Sequence, residues 1–102
     1  MRCNIIREPS SGGVKTGTVV GETYATSKSK INIPISPSTK VVYFTQDGVY
    51  LRRAMVIRGQ TNATVDSGGT SYRISLTWTD DNLLVTNDSS TLLTTWLYAV
   101  FE

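Results

Sequence analysis

The sequence predicts an all-β protein: an antiparallel β-sandwich of about six to eight short strands, with no significant helix. Three observations carry that expectation. No interval holds apolar residues at helical spacing. Alternation of period two recurs, most cleanly where Tyr72, Ile74, Leu76 and Trp78 oppose Ser71, Arg73, Ser75 and Thr77. Clusters of Gly, Pro, Asn, Asp and Ser interrupt these runs about every ten residues, the turn spacing of sandwiches and small barrels.

At 102 residues the chain has room for one core, so residues 14–102 read as a single domain. Residues 1–13 read as an arm or edge segment, because Ile5 and Ile6 give way to the loop-like Glu8-Pro9-Ser10-Ser11-Gly12-Gly13. Val14 to Val20 follows as a strand, and Gly17 inside it marks an edge or a bulge. Gly21-Glu22-Thr23 reads as a turn.

Ile31, Ile33 and Ile35 share one face of the next strand, opposite Lys30, Asn32, Pro34 and Ser36. Proline has no N–H for a ladder, so Pro34 belongs at an edge or with its nitrogen outward. Val41-Val42-Tyr43-Phe44-Thr45 is a dense strand. Asp47-Gly48 predicts a tight hairpin, since such turns need positive φ at their central residues. On the returning strand, Val49, Leu51, Met55 and Ile57 are expected to face the core, with Arg53 interrupting them. Tyr50, Arg52, Ala54, Val56 and Arg58 take the outward side.

A polar interval, residues 59–70, has room for a short strand around Ala63 to Val65. Beyond the amphipathic strand ending at Trp78, Thr79-Asp80-Asp81-Asn82 turns, Leu83-Leu84-Val85-Thr86 extends, and Asn87-Asp88-Ser89-Ser90 turns again. The last run, Leu92 to Phe101, is apolar on both faces. One set is Leu93, Leu97, Ala99 and Phe101; the other is Leu92, Trp96, Tyr98 and Val100. A strand covered on both sides belongs in the middle of a sheet, and in a short chain its second cover is expected to be another subunit. The face assigned to that subunit contact is Leu92, Trp96, Tyr98 and Val100.

Chemistry is sparse. The chain has no histidine, which removes Ser-His-Asp and Cys-His arrangements and the usual zinc sites. No Gly-rich phosphate loop is present. The carboxylates fall mostly in predicted turns, where Asp serves local hydrogen bonding. Asp80, Asp81, Asn82, Asn87 and Asp88 supply oxygen ligands for calcium without the spacing of an EF-hand. No catalytic residue, metal or cofactor is therefore assigned, and the chain is read as a non-enzyme.

The single cysteine, Cys3, cannot close an intramolecular disulfide. A net charge of +2 gives little pull on nucleic acid or an anionic membrane. No run approaches the length of a membrane helix, and the N-terminal residues do not read as a signal peptide. For a ligand face, Tyr50, Arg52, Arg58 and Arg73 are the candidates, because interfaces enrich Tyr and Arg.

From Lys30 onward the order of parts resembles the C-terminal knob domains of bacteriophage tail fibres. The matching parts are Ile31-Asn32-Ile33-Pro34-Ile35, then Val41-Val42-Tyr43-Phe44-Thr45-Gln46-Asp47-Gly48, and the aromatic strand Thr95-Trp96-Leu97-Tyr98-Ala99-Val100-Phe101. The Gly-rich shaft sequence that precedes such knobs is missing. The resemblance implies a virion protein that associates as a homo-oligomer, preferably a trimer, and binds a host-surface glycan or protein. A capsid-decoration or other structural virion protein is the alternative. A small β-barrel binding single-stranded nucleic acid is a further one, which would need exposed aromatics among basic residues.

Overall fold

The computed structural model describes residues 13–23, 28–46, 52–67, 70–87 and 94–102. They form nine strands: β1 (Val14–Val20), β2 (Glu22–Thr23), β3 (Ser29–Pro34), β4 (Val41–Gln46), β5 (Arg53–Ile57), β6 (Asn62–Ser67), β7 (Thr70–Trp78), β8 (Asn82–Asn87) and β9 (Thr95–Phe101). All pair antiparallel, in the order β1-β9-β4-β5-β6-β7-β8-β3-β2. The all-β expectation holds, with one strand more than the upper count. Glu22–Thr23, expected as part of a turn, is the extra one.

This ladder makes two sheets. β5 and β6 meet through one pair, Arg53 opposite Asp66, so the ladder hinges there. One sheet is β1-β9-β4-β5 and the other β6-β7-β8-β3-β2. At the far side the chain itself passes between them: β1 pairs with β9, and after the buried Gly21 the next two residues pair with β3. The Gly21 amide donates to the Thr94 carbonyl at 2.8 Å, which holds the crossing point against β9.

Between the sheets lie Ile31, Ile33, Val42, Phe44, Ala54, Val56, Val65, Ile74, Leu76, Leu83, Val85, Trp96 and Val100. Phe44 and Trp96 meet edge to face, 5.9 Å between ring centres, a favoured aromatic geometry. The alternations read in β3 and β7 are those of the structure: Ile31, Ile33, Ile74 and Leu76 are buried. The Ile35 amide donates to the Asp81 carbonyl, so odd-numbered β3 residues turn their ladder groups to β8. Pro34 therefore presents its nitrogen to the open edge, as its missing N–H requires. The Asp47-Gly48 turn lies outside the described residues, while the strands on either side of it pair antiparallel as expected.

Two phases were reversed. In β5 it is Ala54 and Val56 that enter the core, and Met55 and Ile57 that face solvent, each 63% exposed. Arg53 is exposed with them and interrupts nothing. The cause is the pairing with β4, which sets Phe44 against Ala54 and Val42 against Val56, a large residue beside a small one on the inner face. In β9 the set containing Trp96, Tyr98 and Val100 is the inner face, so the apolar surplus lies on the other side.

Candidate functional site

The outer faces of the two sheets differ. On β6-β7-β8-β3 the outward cross-strand rows run Asn62, Ser75, Thr86, Lys30 and then Thr77, Leu84, Asn32. Asn82 donates its amide to Asn32 Oδ1 at 2.8 Å on the same face. That surface is polar, as a wet antiparallel face should be.

On β1-β9-β4-β5 the outward rows read differently. Val14, Phe101, Val41 and Ile57 form one row; Thr16, Ala99, Tyr43 and Met55 the next; Thr18, Leu97, Thr45 and Arg53 the third. Residues directly opposite on adjacent strands share a face, so these twelve side chains form one grid. Leu97 is 43% exposed within it. Eight of the twelve are apolar or aromatic, and the third row carries Thr18, Thr45 and the exposed Arg53.

A groove of about 420 Å³ runs across three strands of this face. It is lined by Thr16, Thr18, Tyr43, Thr45, Leu97 and Ala99, with Gly17 and Tyr98 completing the wall. The small Ala99 sits between larger neighbours, Tyr43 on β4 and Leu97 and Phe101 along β9, which makes a depression there. The lining contains no Lys, Arg, Asp or Glu. Hydroxyls beside apolar surface can orient a neutral ligand or a peptide strand.

A second cleft, about 240 Å³, opens between β1 and the Pro34–Ser36 segment and contains Lys15 and Glu102. Glu102 Oε2 accepts a hydrogen bond from the Ser36 hydroxyl at 2.6 Å and lies 3.4 Å from the Lys15 ammonium. The carboxylate is buried and engaged on both sides, so it latches the β3–β4 connection to β9. Among the described residues no three His, Cys, Asp or Glu gather as a metal site.

The expected subunit face is not available in the folded chain. Trp96 is 0% exposed and Val100 is buried, both spent on the protein's own core, and Tyr98 packs half-buried against it. Leu92 lies outside the described residues. The outward members of the same strand are Leu97, Ala99 and Phe101.

The expected ligand face is dispersed. Arg52, 6% exposed, turns inward at the start of β5 and is not a surface residue. Arg58 is half-buried and structural: Nε donates to the Thr39 carbonyl at 2.6 Å, Nη2 to the Ser36 carbonyl at 2.5 Å and Nη1 to the Thr79 carbonyl at 3.4 Å. Its guanidinium also lies 5.5 Å from the centre of the Trp78 ring, whose N–H donates to the Gln60 carbonyl. Arg73 is exposed as expected, but on the polar face of the other sheet. Tyr50 lies outside the described residues.

Sequence reasoning thus missed Leu97, Met55 and Ile57 as surface residues. A signal for the last two was present: a strand face that carries Arg53 between apolar residues reads more simply as a wet face than as a broken core.

No family model, curated protein or solved structure matches the chain. The face itself has to carry the functional reading. Among the described residues, no helix is long and apolar enough to cross a membrane.

Proposed function

We propose that the protein is a non-enzymatic binding module of the tail-fibre receptor-binding type. It works as a homo-oligomer and binds its ligand on the outer face of β1-β9-β4-β5. The observation that supports this best is the contrast between the two outer faces, one polar and one in which eight of twelve residues are apolar or aromatic, crossed by a groove with no Lys, Arg, Asp or Glu in its lining. Met55 and Ile57 are each 63% exposed and Leu97 43%, and covering what remains in water is worth part of the about 1.5–3 kcal/mol of fully burying such a side chain. Association with another surface recovers that energy.

The groove is lined by threonine and tyrosine hydroxyls beside Leu97 and Ala99. A neutral host-surface glycan or an extended protein segment suits such a lining. The row Val14, Phe101, Val41 and Ile57, wholly apolar, favours one second reading, a flat contact with another virion protein in a structural or decoration role.

The test is retention of the purified chain on host-envelope glycans and proteins, compared with Leu97→Asp and Met55→Asp. Retention lost in both variants, with folding intact, supports the receptor-binding reading. Tight binding to capsid or tail particles without retention on any envelope component supports the structural one. Turnover of an envelope polysaccharide would overturn the non-enzyme reading.

A further inference from the structure

β1 stands at one end of the ladder, and nothing among the described residues pairs with its outer edge. The bonds at its two ends define that edge. Glu102 donates to the Gly13 carbonyl and Gly21 to the Thr94 carbonyl, so the odd-numbered residues turn their backbone groups to β9. In an antiparallel ladder the alternate residues then point away. Val14, Thr16, Thr18 and Val20 therefore offer their N–H and C=O groups to the outside, and their side chains stand on the apolar face.

Their order is a palindrome about Gly17: Val, Thr, Thr, Val. A second copy laid antiparallel across a two-fold axis at Gly17 sets Val14 against Val20 and Thr16 against Thr18, twice over. Val–Val and Thr–Thr are favourable cross-strand pairs, and the open edge is satisfied by about eight inter-chain hydrogen bonds. At the axis the two glycines meet, where non-hydrogen-bonded strand residues come closest.

The other end of the ladder is guarded. β2 is two residues long, Glu22 and Lys30 form an ion pair there at 3.5 Å, and β3 continues to Pro34. Short edges, charges and prolines are the usual protections against strand pairing. β1 is seven residues long, has no proline and carries a single charge, the exposed Lys15, whose ammonium lies 3.4 Å from the Glu102 carboxylate.

We infer that β1 pairs with β1 of a second copy of this chain, joining two β1-β9-β4-β5 sheets into one of eight strands. The apolar face then runs unbroken through the axis and spans about 35 Å. This rests on the proposed self-association and specifies its geometry, a two-fold dimer in place of the trimer that the resemblance implies.

The experiment is sedimentation equilibrium on the full chain and three variants, with circular dichroism to confirm folding. The first variant joins Thr16→Lys to Thr18→Lys, placing like charges directly opposite in both pairs of the dimer. The second joins Thr16→Lys to Thr18→Glu, placing opposite charges there. The third is Leu97→Asp, away from the edge. The expected result is a dimer for the unmodified chain, a dimer for the Lys/Glu variant, and dissociation at least 100-fold weaker in affinity for the Lys/Lys variant. A dimer equally strong in both charged variants overturns edge pairing, as does a trimer. If that persistent assembly is dissociated by Leu97→Asp, the face-mediated reading stands and only the edge falls. A chain that is monomeric throughout overturns both.

Discussion

The ring of Tyr98 occupies the space in which a side chain at Gly17 would stand. A Cβ built at that position would lie 2.6 Å from Tyr98 Cζ and 2.9 Å from Cε2. The two residues face each other across β1 and β9 on the inner side of the sheet. The glycine is thus required by a close approach, and the aromatic ring restores the packing that a glycine in a strand forfeits. Gly17→Ala is expected to cost about 1–3 kcal/mol, the range of overpacking. In the background of Tyr98→Leu the same change should cost much less, so urea titrations of the double-mutant cycle should show a clear coupling. Equal costs in both backgrounds would sink this account.

Arg58 fastens two segments to its own, Ser36 to Thr39 and Trp78 to Thr79. A lysine has no planar fork to reach two carbonyls together. Arg58→Lys should therefore lose about 1.5–3 kcal/mol, the worth of a hydrogen bond to a charged group. A denaturation midpoint indistinguishable from that of the parent would show the contacts to be idle.

Trp96 is enclosed, and its indole N–H finds no partner among the described residues. Trp96→Phe removes that unsatisfied donor together with some area, whereas Trp96→Ala leaves a large cavity against Phe44. The alanine variant should lose about 3–5 kcal/mol, and the phenylalanine variant distinctly less. Thermal unfolding of the two side by side decides it. The same enclosure means that Trp96→Arg would unfold the chain, so any loss of association in that variant says nothing about an interface.

Met55 and Ile57 pair with Tyr43 and Val41 on the outer face and contribute little to the core. Met55→Ser and Ile57→Thr should shift stability by no more than about 0.5 kcal/mol, as surface changes do. Ligand retention should weaken markedly in the same proteins. Loss of folding in these variants would move the two residues back into the core and remove the proposed face.

The class and the position of nearly every strand were legible in the sequence, because alternation and turn residues are local properties. Where one face was clearly polar, as at Ile31 and Ile33 in β3 or Ile74 and Leu76 in β7, it also determined the side that faces in. It did not determine the side for β5 or β9. Both faces of those strands carry apolar residues, and a period of two leaves two phases that are equivalent until a neighbour is chosen. The tertiary structure decided them through cross-strand partners: Ala54 beside Phe44, and Trp96 between Val19 and Gln46. Once Trp96 filled the space between the sheets, Leu97, Ala99 and Phe101 were left outside, and the surface open to a partner became the reverse of the face read from the chain. The hinge at Arg53 and the open edge of β1 come from the same source, since both depend on which strands meet across long separations in sequence.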